Sequence, residues 1–408
     1  MNTHFARRAA AACAAAGVVL GLLGGCASPP GDAVSALGAK AKVGAKAEAK
    51  AGAKPLHSVG SLRFIGEQRI ALKQLFQDTT VGGLSGIDYD PKSAAWVIES
   101  DDRSALNPAR FYTARLVFDE KNFSSVTLTG VNFFQQADGS NYPDIARFNA
   151  RGGEVADIET IRIDPLDGSI WYGSEGDRKR NLNPFVKHAG RDGAYISTLP
   201  VPAMFKVWSD KELGARDNMS FEGLSFAPDG KSLWIGMETA LYQDGPISSP
   251  AGGSVARMTH LDRSGKVLGQ FAYPVEAIPA APAPGKFADN GVSEILAISD
   301  HQLFAIERSG VEGADGTFKN YVRLYEMDVG DATDVRNIAS LKGANYVPAR
   351  KRLVLNLNTL GLPKVDNLEG IAWGPKLPNG HDSLIMVSDD NFNRTQVTQF
   401  LLFDVQPQ

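Results

Sequence analysis

The sequence predicts an all-β fold, and within that class a β-propeller. One pattern recurs along the chain: a strand with apolar residues at alternate positions, a turn with Pro, Asp or Gly, and a second strand formed by an apolar run. Gly and Pro interrupt the chain throughout, without a sustained amphipathic helix. Because hairpin units protect their edges when they close into a ring, the repeat favours a propeller.

The clearest copy of the repeat, Asn218 to Ala240, reads NMSFEGLSFAPDGKSLWIGMETA. A glutamate opens the first strand, and an aromatic residue leads the second strand after the turn. Units of roughly 70 residues favour six blades, with five and seven left open. The other copies are 82–103, 155–178, 290–310 and 366–393.

Closure of the ring is expected to use the N-terminal strand. After the last repeat only one further strand is clear, VTQFLLFDV from Val397 to Val405. The segment SLRFIGEQRIAL, from Ser61 to Leu72, is the expected fourth strand of that blade. Pairing the two would remove two open edges. The propeller domain is therefore predicted to span 56–408.

Residues 1–25 have the features of an export signal, with Arg7 and Arg8 before an Ala-rich apolar stretch. The following LGGC sequence resembles the lipobox of bacterial lipoproteins, which implies cleavage before Cys26 and lipid attachment to it. Ala27 in the next position, by its resemblance to Gram-negative sorting signals, implies the outer membrane, facing the periplasm. The expected membrane contact is thus the lipid anchor.

Residues 26–55 are rich in Ala, Lys and Gly and predict a tether, although their lysines could also lie against anionic lipid. The other cysteine, Cys13, lies in the segment that is expected to be removed, so no disulfide is expected in the mature chain. The net charge is −4, and nothing in the sequence indicates nucleic-acid binding.

The glutamates that open the repeats are candidate metal ligands. Inner strands of a propeller line its channel, so acids at equivalent positions would converge at one end. Hard oxygen ligands favour Ca²⁺ or Mg²⁺, and calcium is the expected cofactor. Alternatively, each glutamate accepts N–H groups of a neighbouring blade. The candidates are Glu159, Glu222, Glu294 and Glu369, whereas the first repeat has Ser85.

A second acid ends the second strand of each repeat, and an arginine follows in four of the repeats. The fork of an arginine matches the oxygens of a phosphate, so the combination predicts a phosphoester site, with plain surface ion pairs as the alternative. The acids are Glu99, Glu175, Glu238, Glu307 and Asp389, and the candidate substrate-binding residues are Arg103, Arg178, Arg308 and Arg394.

Four segments carry a family resemblance: GLSGIDYD, ETIRIDPLDGSIW, FEGLSFAPDGKSLW, and NLEGIAWG with its later SDDNF. They resemble the phytase-like propellers described as having esterase-like activity, from about Leu62 to Phe403. The resemblance implies a divalent-metal-dependent hydrolase of a small phosphorylated or ester substrate. In that mechanism the four opening glutamates hold Ca²⁺, and Glu175 or Asp389 acts as a catalytic base or ligand.

Two other functions stay open: a calcium-dependent lactonase or carboxyl-esterase, and a non-catalytic binding module of the cell envelope. A serine triad is disfavoured, because the GGLSG sequence around Ser85 lacks the G-x-S-x-G spacing. The histidines lack metal-ligand spacing.

Overall fold

A computed structural model describes residues 57–408, which form five four-stranded antiparallel sheets and one short hairpin. The first strands of successive sheets contact one another in a closed cycle, so the sheets are the blades of a propeller. The proposed signal peptide 1–25, the lipidation site Cys26 and the whole of the tether 26–55 lie outside the described residues. Within 57–408, no helix is long and apolar enough to cross a membrane.

The strands follow the chain blade by blade. Before the first blade come β1 (Ser61–Ile70), β2 (Leu75–Phe76) and β3 (Thr79–Thr80). Blades 1 and 2 comprise β4 (Ile87–Asp90), β5 (Ala95–Ser100), β6 (Arg110–Phe118), β7 (Phe123–Phe133), β8 (Ile158–Ile163), β9 (Ile170–Ser174), β10 (Phe185–Ala189) and β11 (Tyr195–Leu199). Blades 3 and 4 comprise β12 (Phe221–Phe226), β13 (Ser232–Met237), β14 (Ser254–Asp262), β15 (Val267–Val275), β16 (Gly291–Ala297), β17 (Gln302–Glu312), β18 (Phe318–Asp328) and β19 (Arg350–Asn356). Blade 5 comprises β20 (Asn367–Trp373), β21 (Asp382–Asp389), β22 (Thr398–Gln406) and β1.

Helical structure in the described residues is confined to short connecting segments. A single α-helix, α1, joins blades 1 and 2, and the remaining segments are 3₁₀ turns. They are α1 (Ile145–Arg151) and the turns Arg178–Arg180, Ala203–Phe205, Tyr242–Asp244 and Leu357–Thr359.

Closure by the N-terminal strand is confirmed. β1 pairs antiparallel with β22, from Ser61 opposite Gln406 to Ile70 opposite Thr398, and β22 in turn pairs with β21. The strand from the start of the domain therefore completes the last blade, and β22 has no free edge.

The preference for six blades is wrong, because the ring has five. Each sequence repeat supplies the two inner strands of one blade, so five repeats give five blades. The extra length of the repeat lies in long outer hairpins such as β17 and β18, each of 11 residues, and in connections such as 329–349. No interval in the described chain contains another sheet.

The aromatic residues that lead the second strands pack between blades. Trp171 of blade 2 meets Phe226 of blade 3 edge-on, with ring centroids 5.8 Å apart. The ring centroids of Phe304 in blade 4 and Trp373 in blade 5 are 5.5 Å apart. Each buried large apolar side chain contributes about 1.5–3 kcal/mol. These contacts hold the rigid ring on which the acidic residues are mounted.

Candidate metal centre

β-Bulges at one end of the ring set the direction of three acidic side chains. In blades 2, 3 and 5 the pairing of the two inner strands skips the opening glutamate, which is left without a partner residue. A bulge residue departs from the regular alternation of the strand, so its side chain can be aimed at a site. The three bulge residues are Glu159, Glu222 and Glu369, and all are buried.

In blade 4 the register differs by one residue from the sequence-based alignment. The bulge falls at Ser293, and Glu294 pairs in register with Ile306. Glu294 Oε2 accepts from Thr160 Oγ1 at 2.8 Å and lies 2.8 Å from the Arg162 guanidinium. Its Oε1 accepts from the amide N–H groups of two residues, Leu224 and Ile295, both at 2.9 Å. Glu294 thus accepts N–H groups of a neighbouring blade, which was the alternative to metal binding, and neither of its oxygens is free for a metal.

A second position in each blade is also part of this ring of side chains. It is the residue at the end of the second strand that lies opposite the residue two positions before the bulge. Glu175 N donates to Asp157 O at 3.0 Å, and Glu238 N donates to Ser220 O at 2.7 Å. In blade 1 the corresponding bond, from Asp101 N to Gly83 O, makes Asp101 the equivalent acid instead of Glu99. The occupants in blades 1 to 5 are Asp101, Glu175, Glu238, Arg308 and Asp389.

Glu307, the acid that the sequence pattern places at the end of the second strand of blade 4, is instead held by residues of blades 3 and 4. Its carboxylate accepts from Tyr273 Oη at 2.8 Å and from Lys351 Nζ at 2.6 Å. Glu99 is fully buried, and neither of its oxygens has a hydrogen-bond partner within 57–408. Sequence reasoning missed Asp101 and Asp157, although each lies two residues from an acid that it did identify.

One group of acids lies between blades 2 and 3. Oxygens of Glu175, Glu222 and Glu238 all come within 4.8 Å of one another. In each of the three carboxylates, Oε2 is buried and lacks a hydrogen-bond donor among the described residues. Glu175 Oε1, in contrast, accepts from Ser220 N at 2.7 Å. Buried oxygens without donors are costly, and a cation bound between these three carboxylates would offset that cost.

A second group of acids shares Glu175 with the first. Asp157, Glu159 and Glu175 also offer oxygens within 4.8 Å of one another. Burial raises the pKa of Glu175 to about 8, and the neighbouring Asp157 charge adds to the effect. Burial and then repulsion from Glu222 raise the pKa of Glu159 well above its usual range. Burial and repulsion among these carboxylates both disfavour their charged forms, and a bound cation would favour them.

Two of the predicted arginines lie among these acids. Arg103 extends from blade 1, donates to the Asp157 carboxylate, and donates to Asn218 Oδ1 at 2.6 Å. Its side chain remains 32% exposed, so it faces both the acids and solvent. Arg308 is much more buried, and its Nη2 donates to Glu369 Oε1 at 3.1 Å. Arg103 is thus the better placed of the two to meet a substrate.

The other two predicted arginines lie away from the acidic group. Arg178 is in the 3₁₀ turn that follows Glu175, where it donates to Lys211 O at 2.7 Å and stacks 4.8 Å from the centre of the Tyr242 ring. Arg394 is exposed in the loop after β21. The structure therefore brings together Arg103, Arg308 and the acids, and leaves Arg394 apart.

The loop after Asp389 has a strained backbone. Asn391 and Phe392 have positive φ angles of 47° and 50°, which are unfavourable for residues other than glycine. Asp389 Oδ1 accepts from Asn391 N at 2.6 Å, and its Oδ2 accepts from Asn367 Nδ2 at 3.1 Å. The conformation fixes the position of Asp389 beside the ring of acids.

Comparisons with known proteins give one family and several distant folds. The sequence matches the Phytase-like family, described as "Esterase-like activity of phytase", over residues 79–392. No curated protein sequence matches. Similar solved structures include a mannose phosphorylase from Leishmania mexicana (9% identity, 86% of this chain and 89% of that chain, TM-score 0.37). Another is the periplasmic gluconolactonase of Pseudomonas aeruginosa (14% identity, 90% of this chain and 95% of that chain, TM-score 0.32). At these identities and TM-scores, neither likeness bears on the activity of this chain.

Proposed function

The chain belongs to the Phytase-like family, and from this membership and its buried carboxylates we propose a divalent-metal-dependent hydrolase of phosphoesters or carboxylic esters. One observation carries the proposal: Glu175, Glu222 and Glu238 bring carboxylate oxygens within 4.8 Å of one another, and each of them also has a buried Oε2 atom without a hydrogen-bond donor from residues 57–408. Three such oxygens fit a hard cation, for which we propose Ca²⁺.

The proposed ligands of the cation are Glu175, Glu222 and Glu238, with Glu159 beside them. Glu369 is a weaker candidate, because Arg308, Asn367 and Ser85 already donate to its carboxylate. A bound Ca²⁺ would act as a Lewis acid toward an ester or phosphoryl oxygen. Glu294 is left out of the ligand set.

Arg103 is the proposed contact for an anionic substrate, since it lies over the acids and is partly exposed. Arg178 is left out of the proposed substrate contacts, because its side chain donates to Lys211 O and stacks on the Tyr242 ring. For the general base we propose Asp389. Burial, and then repulsion from Asp101, raise the pKa of its carboxyl, which is the direction that a base acting near neutral pH requires.

We further propose that the protein is exported and anchored by lipid at Cys26 to the outer membrane, facing the periplasm. The support is the sequence of residues 1–27 alone. Globomycin treatment of cells that express the full chain would prevent cleavage and shift its mass. An unmodified Cys26 in untreated cells would overturn the anchor.

A substrate panel tests the hydrolase. Phytate, p-nitrophenyl phosphate, a short acyl ester and a lactone would each be assayed with Ca²⁺ and with EDTA. Glu222→Gln should abolish the Ca²⁺-dependent turnover, whereas the matched control Glu326→Gln, on the outer strand β18, should keep it. Phosphate release supports a phosphoesterase, and turnover of the ester or lactone alone supports the esterase or lactonase alternative. Tight Ca²⁺ binding without turnover would indicate a binding module of the cell envelope.

A further inference from the structure

Arg308 occupies a ring position that carries an acid in each of the other four blades. It lies opposite Gly291 in blade 4, just as Asp389 lies opposite Asn367 in blade 5. The bulge of the same blade carries Ser293, where blades 2, 3 and 5 carry glutamate. Blade 4 therefore contributes a positive charge to the ring and no carboxylate at either position.

The guanidinium of Arg308 faces three carboxylates that come from different parts of the ring. Its Nη2 lies 3.1 Å from Glu369 Oε1 of blade 5 and 3.9 Å from Glu238 Oε1 of blade 3. Its Nη1 lies 3.6 Å from Asp289 Oδ1, in the connection before β16. The side chain is only 13% exposed. Three carboxylate oxygens therefore lie within 4 Å of the Nη atoms of this one buried guanidinium.

A guanidinium keeps its charge at all pH values relevant to the protein and cannot dissociate from the chain. We infer that Arg308 is a built-in counter-cation that takes the place of one divalent ion in the carboxylate ring. Removing the guanidinium leaves Glu238, Glu369 and Asp289 around a buried space without a positive charge. Carboxylate oxygens are the type of ligand that a divalent cation prefers.

The inference deepens the proposed function, because it concerns the same ring, and it changes the role expected of Arg308. The sequence pattern predicts a substrate-binding arginine there. In the structure, the Nη2 atom of Arg308 faces the ring carboxylates of Glu238 and Glu369, and its Nη1 atom faces Asp289. It is therefore a positioning residue that also limits how many cations the ring accepts.

The test is the number of Ca²⁺ ions bound per chain, measured by equilibrium dialysis with ⁴⁵Ca²⁺ on purified protein. Arg308→Ala should bind one Ca²⁺ more than the wild type, and Arg308→Lys, which keeps a positive charge, should bind the same number as the wild type. The matched control is Arg350→Ala. Arg350 also faces two carboxylates, Asp328 and Asp331, but it is 65% exposed, so no ion should be gained.

The outcomes separate this inference from the proposed function. A wild type without Ca²⁺ beside an Arg308→Ala variant with one ion would refute the metal-dependent hydrolase and support the counter-cation. A wild type with bound Ca²⁺ and an equal count in the variant would refute the counter-cation alone. An unchanged count with a raised KM would instead restore the role of Arg308 in substrate binding.

Thermal melting gives a second readout that a merely structural ion pair would not produce. Arg308→Ala should melt below the wild type in EDTA and recover most of the difference in Ca²⁺, because an added cation replaces the lost charge. An equal loss in both buffers would overturn the inference. If Arg308→Ala does not fold in either buffer, Arg308→Gln provides the same comparison with a smaller change in volume.

Discussion

Arg162 of blade 2 and Glu294 of blade 4 form a buried ion pair across the ring, with 2.8 Å between Nη2 and Oε2. Arg162 also donates to the carbonyl oxygens of Ile87 in blade 1, Leu224 in blade 3 and Ile295 in blade 4. One arginine thus connects four of the five blades at the centre of the ring.

Loss of this arginine should destabilise the fold severely. Arg162→Leu leaves Glu294 as a buried charge without its partner, which typically costs about 3–5 kcal/mol. Urea denaturation followed by circular dichroism measures the change in the free energy of unfolding. Arg63→Leu is the control, because Arg63 is 43% exposed where it pairs with Asp404, and should cost about 1 kcal/mol or less. Similar losses in the two variants would contradict the central role of Arg162.

Two glutamates of equivalent appearance in the sequence should differ in metal binding. Glu222→Gln should weaken Ca²⁺ binding at least tenfold, or about 1.4 kcal/mol, because it removes a proposed ligand. Glu294→Gln should leave Ca²⁺ affinity unchanged, since the oxygens of Glu294 are already used within the fold. Isothermal titration calorimetry with CaCl₂ measures both. Loss of binding only in Glu294→Gln would reverse the assignment.

His260 should make stability fall in mild acid. Its ring stacks on Trp234 with 4.3 Å between centroids, its Nε2 lies 2.8 Å from Ser232 Oγ, and burial lowers its pKa from 6.5 to about 4. Between pH 4 and pH 6.5, His260 is protonated in the unfolded chain and neutral in the folded chain. Above pH 6.5 this residue therefore does not lower the free energy of unfolding, and below pH 6.5 that free energy decreases as the pH falls toward 4. After allowance for partial solvation, we expect a loss of about 2 kcal/mol. Urea titrations at pH 7 and pH 4.5 should show a smaller decline in His260→Gln, and equal declines would exclude His260 as a source.

A chain that ends at Thr395 should not fold cooperatively. β22 lies between β1 and β21, so its removal leaves both neighbours with an open edge and takes Phe400 and Phe403 out of the core. A chain that ends at Gln406, the last residue of β22, is the control and should melt in one transition. Calorimetry distinguishes the two, and a single sharp transition in the shorter chain would contradict closure by β1.

The sequence contained enough information for the inner hairpin of every blade and for the closing strand. Alternating apolar residues followed by a turn and an aromatic such as Trp234 reflect local requirements of a strand pair, which a short window reveals. The number of blades was harder to predict, because outer strands such as β18 carry no repeated motif. The extra residues that they add to each repeat could not be distinguished from a further blade.

The site could be predicted only in part, because bulges shift register by one residue. Glu222 and Glu294 align in sequence, yet the bulge of blade 3 falls on Glu222 and that of blade 4 on Ser293. A shift of one residue turns a side chain to the other face of a strand, so equal sequence patterns lead to different surroundings. Partners from other blades, such as Arg162 for Glu294, follow only from the closed ring.

The ends of the described chain lie side by side in blade 5, where Gln408 N donates to Ser58 Oγ at 3.1 Å and Gly60 N to Gln406 O at 2.8 Å. A short linker would therefore be enough to join these two ends. A circular permutant that joined these ends through a short linker and opened the connection 134–157 would build every blade from four consecutive strands. In such a molecule β1 would become the ordinary fourth strand of its blade, and the present point of closure would no longer be recognisable in the chain order.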